Sequence, residues 1–180
     1  ALCKDFKISE KDYNIARELR DLAIEKLFFY GITAVTINDR NYPESLKKIS
    51  DAPPVIYCKG TLRPDKLSAV VGSREISKYA KKITYSIVDW LNEKEYGVVS
   101  GLALGIDTLA HQKALYNKQY TIAVLPNSLD TIYPTINFGL ANDIVESGGC
   151  LISEMIFGIN RGNQSFVQRN RIQSALSEVV

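Results

Sequence analysis

From Lys66 onward the chain repeats one pattern: a short apolar run, a loop rich in Gly, Ser or Pro, and then a stretch with helical spacing. The runs "LSAVVG", "YGVVSG", "YTIAVL" and "CLISEM" are too short for buried helices and too uniformly apolar for strands with one wet face. Strands buried on both faces read this way, and the helices between them supply the crossovers that parallel neighbours require. The expected class is therefore α/β, a parallel sheet built from βαβ units with helices on both faces. Helices are predicted over 78–91, with Ser77 as N-cap, over 106–116, over about 138–146, ended by Gly148 and Gly149, and over 165–176. Residues 177–180, "SEVV", read as the opening of a fifth strand, so the C-terminal part of the fold is expected to be missing from this chain.

Upstream the texture differs. Residues 1–40 are charged, with Ile15, Leu19, Leu22 and Ala23 at helical spacing, and read as a small N-terminal helical segment stopped near Gly31. Residues 41–65 carry Pro43, Pro53, Pro54 and Gly60 and read as a connector with a short strand over 55–58; residues 66–180 form the main domain. At 180 residues, 46% hydrophobic and 23% charged, the chain is long enough for one substantial core. No apolar run nears the roughly 20 residues of a membrane span and no signal-peptide h-region is present, so a cytoplasmic protein with no membrane partner is expected. Cys3, Cys58 and Cys150 form no CxxC pair and are read as packed thiols.

The net charge of +2 identifies no partner, but its distribution is uneven. Between Glu154 and Glu178 no acidic residue occurs, whereas Arg161, Arg169 and Arg171 do; Arg74, Lys78, Lys81 and Lys82 are opposed only by Glu75. In an open parallel sheet, ligands bind where strand ends meet helix starts. "GSR" (72–74), "SGLALG" (100–105), "PNS" (126–128) and "SE" (153–154) all fall there. Glycines let backbone amides approach an anion, which points to a phosphate-binding crest, although neither GxGxxG nor a P-loop ending is present. Asp107 and His111, at i and i+4, read either as an acid–base or metal pair or as structural residues. His111 is the only histidine, which weakens the metal reading. "NRGNQSFVQRNRIQS" offers arginine forks beside an aromatic face, a mixture suited to single-stranded nucleic acid. The competing reading makes Phe166 a core residue and the arginines solvent-facing helix positions.

The segments "YPESLKKISDAPPVIYCKG", "VVGSREIS", "SGLALGIDTLAH", "TIAVLPNSLDTIYP", "LISE" and "SFVQRNRIQSALSEVV", taken together, resemble the DprA/Smf family (DNA processing protein A) from about Tyr42 to Val180. The resemblance implies an extended Rossmann-like fold that binds single-stranded DNA, protects incoming strands during natural transformation and loads the RecA recombinase. It implies no catalysed reaction, no metal and no cofactor, and a homodimer in the complete protein. By the same resemblance the DNA pocket would draw on Gly72, Ser73, Arg74, Ser100, Gly101, Gly105, Arg161, Asn163, Phe166, Arg169, Asn170 and Arg171. The glycine amides would face phosphates, and Asp107 and His111 would be structural. Asn163 stands where some relatives carry a lysine, with Arg161 nearby as an alternative source of charge. A different class, a nucleotide-binding enzyme or sensor of the lysine-decarboxylase-like, cytokinin-activating phosphoribohydrolase group, shares a glycine-lined crest, but its "PGGxGTxxE" stretch is absent.

Overall fold

The computed structural model describes residues 9–63, 66–158, 162 and 164–180. The chain opens with a single helix, α1 (Glu10–Phe29), whose N-cap Ser9 accepts a hydrogen bond from the Asp12 amide. Gly31, at φ +63°, turns the chain out of the helix and into β1 (Ile32–Thr36). This strand was not expected. Only Ile32 and Val35 in it are buried, so its apolar pattern is too sparse to stand out beside the preceding helix.

A one-turn helix, α2 (Glu44–Lys47), leads to β2 (Val55–Gly60), which pairs antiparallel with β1 in the register Ile32↔Lys59 to Thr36↔Val55. The remaining elements alternate: β3 (Leu67–Ala69), α3 (Lys78–Glu93), β4 (Gly97–Ser100), α4 (Ile106–Tyr116), β5 (Thr121–Val124), α5 (Phe138–Glu146), β6 (Cys150–Ser153) and α6 (Gln164–Leu176). One six-stranded sheet results, in the order β1-β2-β6-β5-β4-β3. Its β3 to β6 part is parallel, as expected from the apolar runs, and β2 joins β6 antiparallel, so the sheet as a whole is mixed. Beyond β3, the Glu178 amide donates to Leu67 O and the Ala69 amide to Val179 O, both at 2.8 Å, so the terminal residues do pair with the sheet in parallel.

Alternate residues of the strands supply two faces. Val98, Ala123 and Leu151 point toward α3, α4 and α5, packing on Val88, Ala110 and Ile144. Val99, Ile122, Val124 and Ile152 point the other way, against Ile172 and Leu176 of α6 and Leu46 of α2. Burial on both faces is what makes these strands uniformly apolar. The layering also fixes the site, because α6 crosses the sheet with its first turns beside the C-terminal ends of the parallel strands. Among the described residues no helix is long and apolar enough to cross a membrane.

Candidate nucleic-acid interface

The loops after β3 and β4 are locked together before any ligand is considered. Gly105 sits at φ +85°, and a Cβ there would lie 2.1 Å from the Ser73 carbonyl oxygen. Only glycine allows that approach, which lets the Ile106 amide donate to Ser73 O at 3.1 Å. The "GSR" loop is thereby held against the start of α4. Arg74 projects from it, exposed, with no carboxylate partner among the described residues.

Opposite Arg74 stands Phe166, in the first turn of α6 and half-buried. The Arg74 guanidinium lies 5.9 Å from the centre of its ring, within cation–π range. Tyr133 meets the same ring edge-on, at 5.7 Å between centroids and 74° between planes. Two recesses share Arg74, Ala103, Phe166 and Arg169: a small one of about 50 Å³ walled by Leu104, Pro126 and Tyr133, and an open cleft of about 560 Å³ bordered by Gly72, Val167 and Asn170. The fold thus brings Gly72, Arg74, Phe166, Arg169 and Asn170 to one place, with Ser73 next to Arg74 in its loop. Tyr133 was missed as a site residue. Its one signal was an exposed aromatic beside proline in a strand-end loop.

The arginines of "RNR" behave differently from expectation. Arg169 was placed on phosphates, but it is 8% exposed and its Nη1 donates to Gly101 O at 2.9 Å and Val124 O at 2.6 Å. Its Nε donates to Asn170 Oδ1 at 3.1 Å. Burial lowers its pKa, the Asp107 charge counters that, and Arg74 adds to the lowering. Arg171, also expected on phosphates, is clamped by acids instead, its Nη2 2.6 Å from Glu154 Oε2 and its Nε 2.6 Å from Asp51 Oδ2. Arg171 braces the site from behind, whereas Arg169 stays in the wall of both recesses while fixing the loops around them. Two further expectations change for the same reason. Ser100 is fully buried, and its hydroxyl donates to Val70 O at 2.7 Å. Gly101 does not offer its amide to an anion, because that N–H donates to Asp107 Oδ2 at 2.9 Å. A Cβ on Gly101 would fall 2.1 Å from Arg169 Nη1, so this glycine makes room for the guanidinium. Arg161 and Asn163 lie outside the described residues.

Asp107 and His111 share a helix but not a partner. Burial raises the Asp107 pKa, while Arg169 and the Gly101 amide pull it back; the Ala103 amide is 3.4 Å from the same oxygen. Its carboxylate ties the "SGLALG" loop to α4. His111 is fully buried, with Nδ1 2.8 Å from Thr121 Oγ1. The Thr121 hydroxyl spends its single proton on Val98 O at 3.0 Å, so His111 Nδ1 must be the donor and Nε2 carries the lone pair. Burial, and secondarily the Arg169 charge, push its pKa down to about 3. Both residues hold α4 to the sheet and its loop, as the structural reading has it. Among the described residues no three His, Cys, Asp or Glu side chains gather as metal ligands would.

The α/β sheet of Rossmann type thus carries, at the C-terminal ends of its parallel strands, an arginine with no carboxylate partner among the described residues and two aromatic rings, the place where open α/β sheets hold their ligands. The chain belongs to the family of DNA recombination-mediator protein A, whose model matches residues 33–180. Its relatives include the protein Smf of Borreliella burgdorferi, 37% identical over 80% of this chain and 46% of its own length, and the DNA processing protein DprA of Streptococcus pneumoniae, 40% identical over 82% and 52%. The chain therefore spans about half the length of these curated relatives. The crystal structure of S. pneumoniae DprA superposes with a TM-score of 0.74 at 37% identity, covering 82% of this chain and 53% of that one. A Helicobacter pylori DprA structure, determined to explain that protein's mode of binding single-stranded DNA, superposes at 0.69 with 32% identity, covering 82% and 67%.

Proposed function

We propose that this domain binds single-stranded DNA along the crest, with Arg74 on the phosphate backbone and a base stacked against Phe166 and Tyr133. The observation that carries the proposal is the Arg74 guanidinium poised over the Phe166 ring, with no carboxylate among the described residues to neutralise it. A cation beside an aromatic face suits an unpaired nucleotide, and a base still paired in a duplex has no free face to offer. Gly72, Arg169 and Asn170 border the groove, with Ser73 beside Arg74 in the same loop; Arg171 acts on it through the loop it braces. Base identity matters little, since every base has a stacking face.

The site is assigned binding and no catalysed step. Through its family relation, the complete protein is proposed to work in the cytoplasm, protecting incoming DNA and handing it to RecA during natural transformation, as a homodimer. The test is fluorescence anisotropy of labelled oligo-dT across a salt series, for the parent and for Arg74→Ala, with duplex DNA as competitor. The expected result is salt-sensitive binding that duplex competes poorly and that Arg74→Ala weakens at least tenfold (about 1.4 kcal/mol). Equal binding by parent and variant would overturn the assignment. Phe166→Ala is expected to weaken binding by about 1–3 kcal/mol while leaving the salt slope nearly unchanged, because stacking releases no counterion.

A further inference from the structure

The basic residues after the crest continue along α3 and onto α4. Lys78, Lys81 and Lys82 occupy the first turns of α3, immediately below the "GSR" loop. The groove between α3 and α4 then opens into a recess of about 360 Å³ lined by Tyr85, Gln112, Lys113 and Tyr116. Its aromatic faces are flanked by cations: Lys81 Nζ lies 5.5 Å from the Tyr85 ring, and Lys113 Nζ lies 6.0 Å from Tyr85 and 4.7 Å from Tyr116. Asp89 holds the Lys113 ammonium at 2.8 Å and also accepts from Asn117 Nδ2 at 2.9 Å, which fixes the lysine between the two rings. Tyr116 is 82% exposed, at the far end of α4.

Neither the core nor the crest uses these groups. Tyrosine faces on a concave surface, with the Lys81 ammonium beside one of them, match a flat neutral ring carrying an anionic group. We infer that a single strand held at the crest runs on down the α3–α4 groove, where this recess takes a second base against Tyr116 and its phosphate beside Lys81. This inference rests on the single-stranded DNA reading of the crest. The distance is compatible: ten residues of α4 separate Ile106 from Tyr116, about 15 Å of rise, which a stacked strand covers in about four to five nucleotides. A short oligonucleotide therefore fills the crest alone, and a longer one reaches both places.

The experiment compares labelled oligo-dT of about three and about twenty-five nucleotides, the first too short to span the roughly 15 Å between the two places and the second long enough to occupy both. It uses the parent, Lys81→Ala, Tyr116→Ala, Tyr116→Phe and Arg74→Ala. Tyr116→Ala and Lys81→Ala are expected to weaken the long oligonucleotide by about fivefold or more and leave the short one unchanged. Tyr116→Phe keeps the ring and should bind as the parent does. Arg74→Ala weakens both lengths. Undiminished long-strand binding by Tyr116→Ala and Lys81→Ala, with Arg74→Ala still defective, overturns the extended track and leaves the crest standing. Equal weakening of both lengths by Tyr116→Ala also overturns it. Full binding by Arg74→Ala instead removes the crest reading on which the track depends.

Discussion

Arg169 shows how much of this site rests on buried hydrogen bonds. A guanidinium that is 8% exposed persists only where hydrogen bonds replace water, and here two backbone carbonyls accept from Nη1 and the Asn170 side chain from Nε. The carbonyls belong to Gly101 and to Val124 at the end of β5, so one side chain on α6 fixes two crest loops relative to Phe166, one turn earlier on the same helix. Gly101 is the residue that permits this. In Gly101→Ala the new methyl meets Arg169 Nη1 and the guanidinium must move, leaving donors and carbonyls unmatched. The expected cost is about 1–3 kcal/mol of folding stability, read as a lower denaturant midpoint with unchanged slope. Weaker oligo-dT binding should accompany it, since Phe166 shifts with the helix. An unchanged midpoint would mean that Arg169 is not held there.

Among the elements, α4 carries the clearest division of labour. Its first turn is tied to the β4 loop by Asp107, and its middle is tied to β5 by His111 through Thr121. Because His111 titrates at about 3 in the fold and near its ordinary 6.5 when unfolded, the unfolded chain binds the extra proton between those values. Stability contributed by the neutral ring is therefore complete above about pH 6.5 and falls as pH drops toward 3. The loss at pH 5 is about 2 kcal/mol relative to pH 7. Asp107, whose pKa burial raises, works in the opposite sense. Comparing the pH dependence of urea midpoints for the parent and His111→Leu isolates the histidine: the variant is expected to lose the slope between pH 7 and 5. A variant that keeps the full slope would place the titrating group elsewhere.

These same elements show what the sequence makes legible. The four parallel strands and the helices between them were readable because burial on both faces leaves an unbroken apolar run, and because caps such as Ser77 mark helix starts. β1 was not, since two buried positions in five make no pattern. At the site, Arg74 and Phe166 were singled out through the family resemblance, since residue type and spacing alone left Phe166 equally readable as a core residue; the fold brings the two side chains together. The inward turn of Arg169, the Asp51–Arg171–Glu154 clamp and the burial of Ser100 were not, because each depends on a partner between 17 and 120 residues away that no local spacing encodes.

At the scale of the whole molecule, the described charge is arranged rather than abundant. Arg169 and Arg171 are spent on carbonyls and carboxylates, leaving Arg74 and the α3 lysines to face solvent from one edge of the crest. The proposed function rests on one local contact, a DNA base stacked on Phe166. The most direct measurement is photocross-linking of a 5-iododeoxyuridine oligonucleotide to the parent protein, followed by peptide mapping. Adducts on Phe166 and Tyr133, lost on competition with unlabelled oligo-dT, are the predicted result. Adducts confined to surfaces away from the crest, with Phe166 and Tyr133 unmodified, would contradict it.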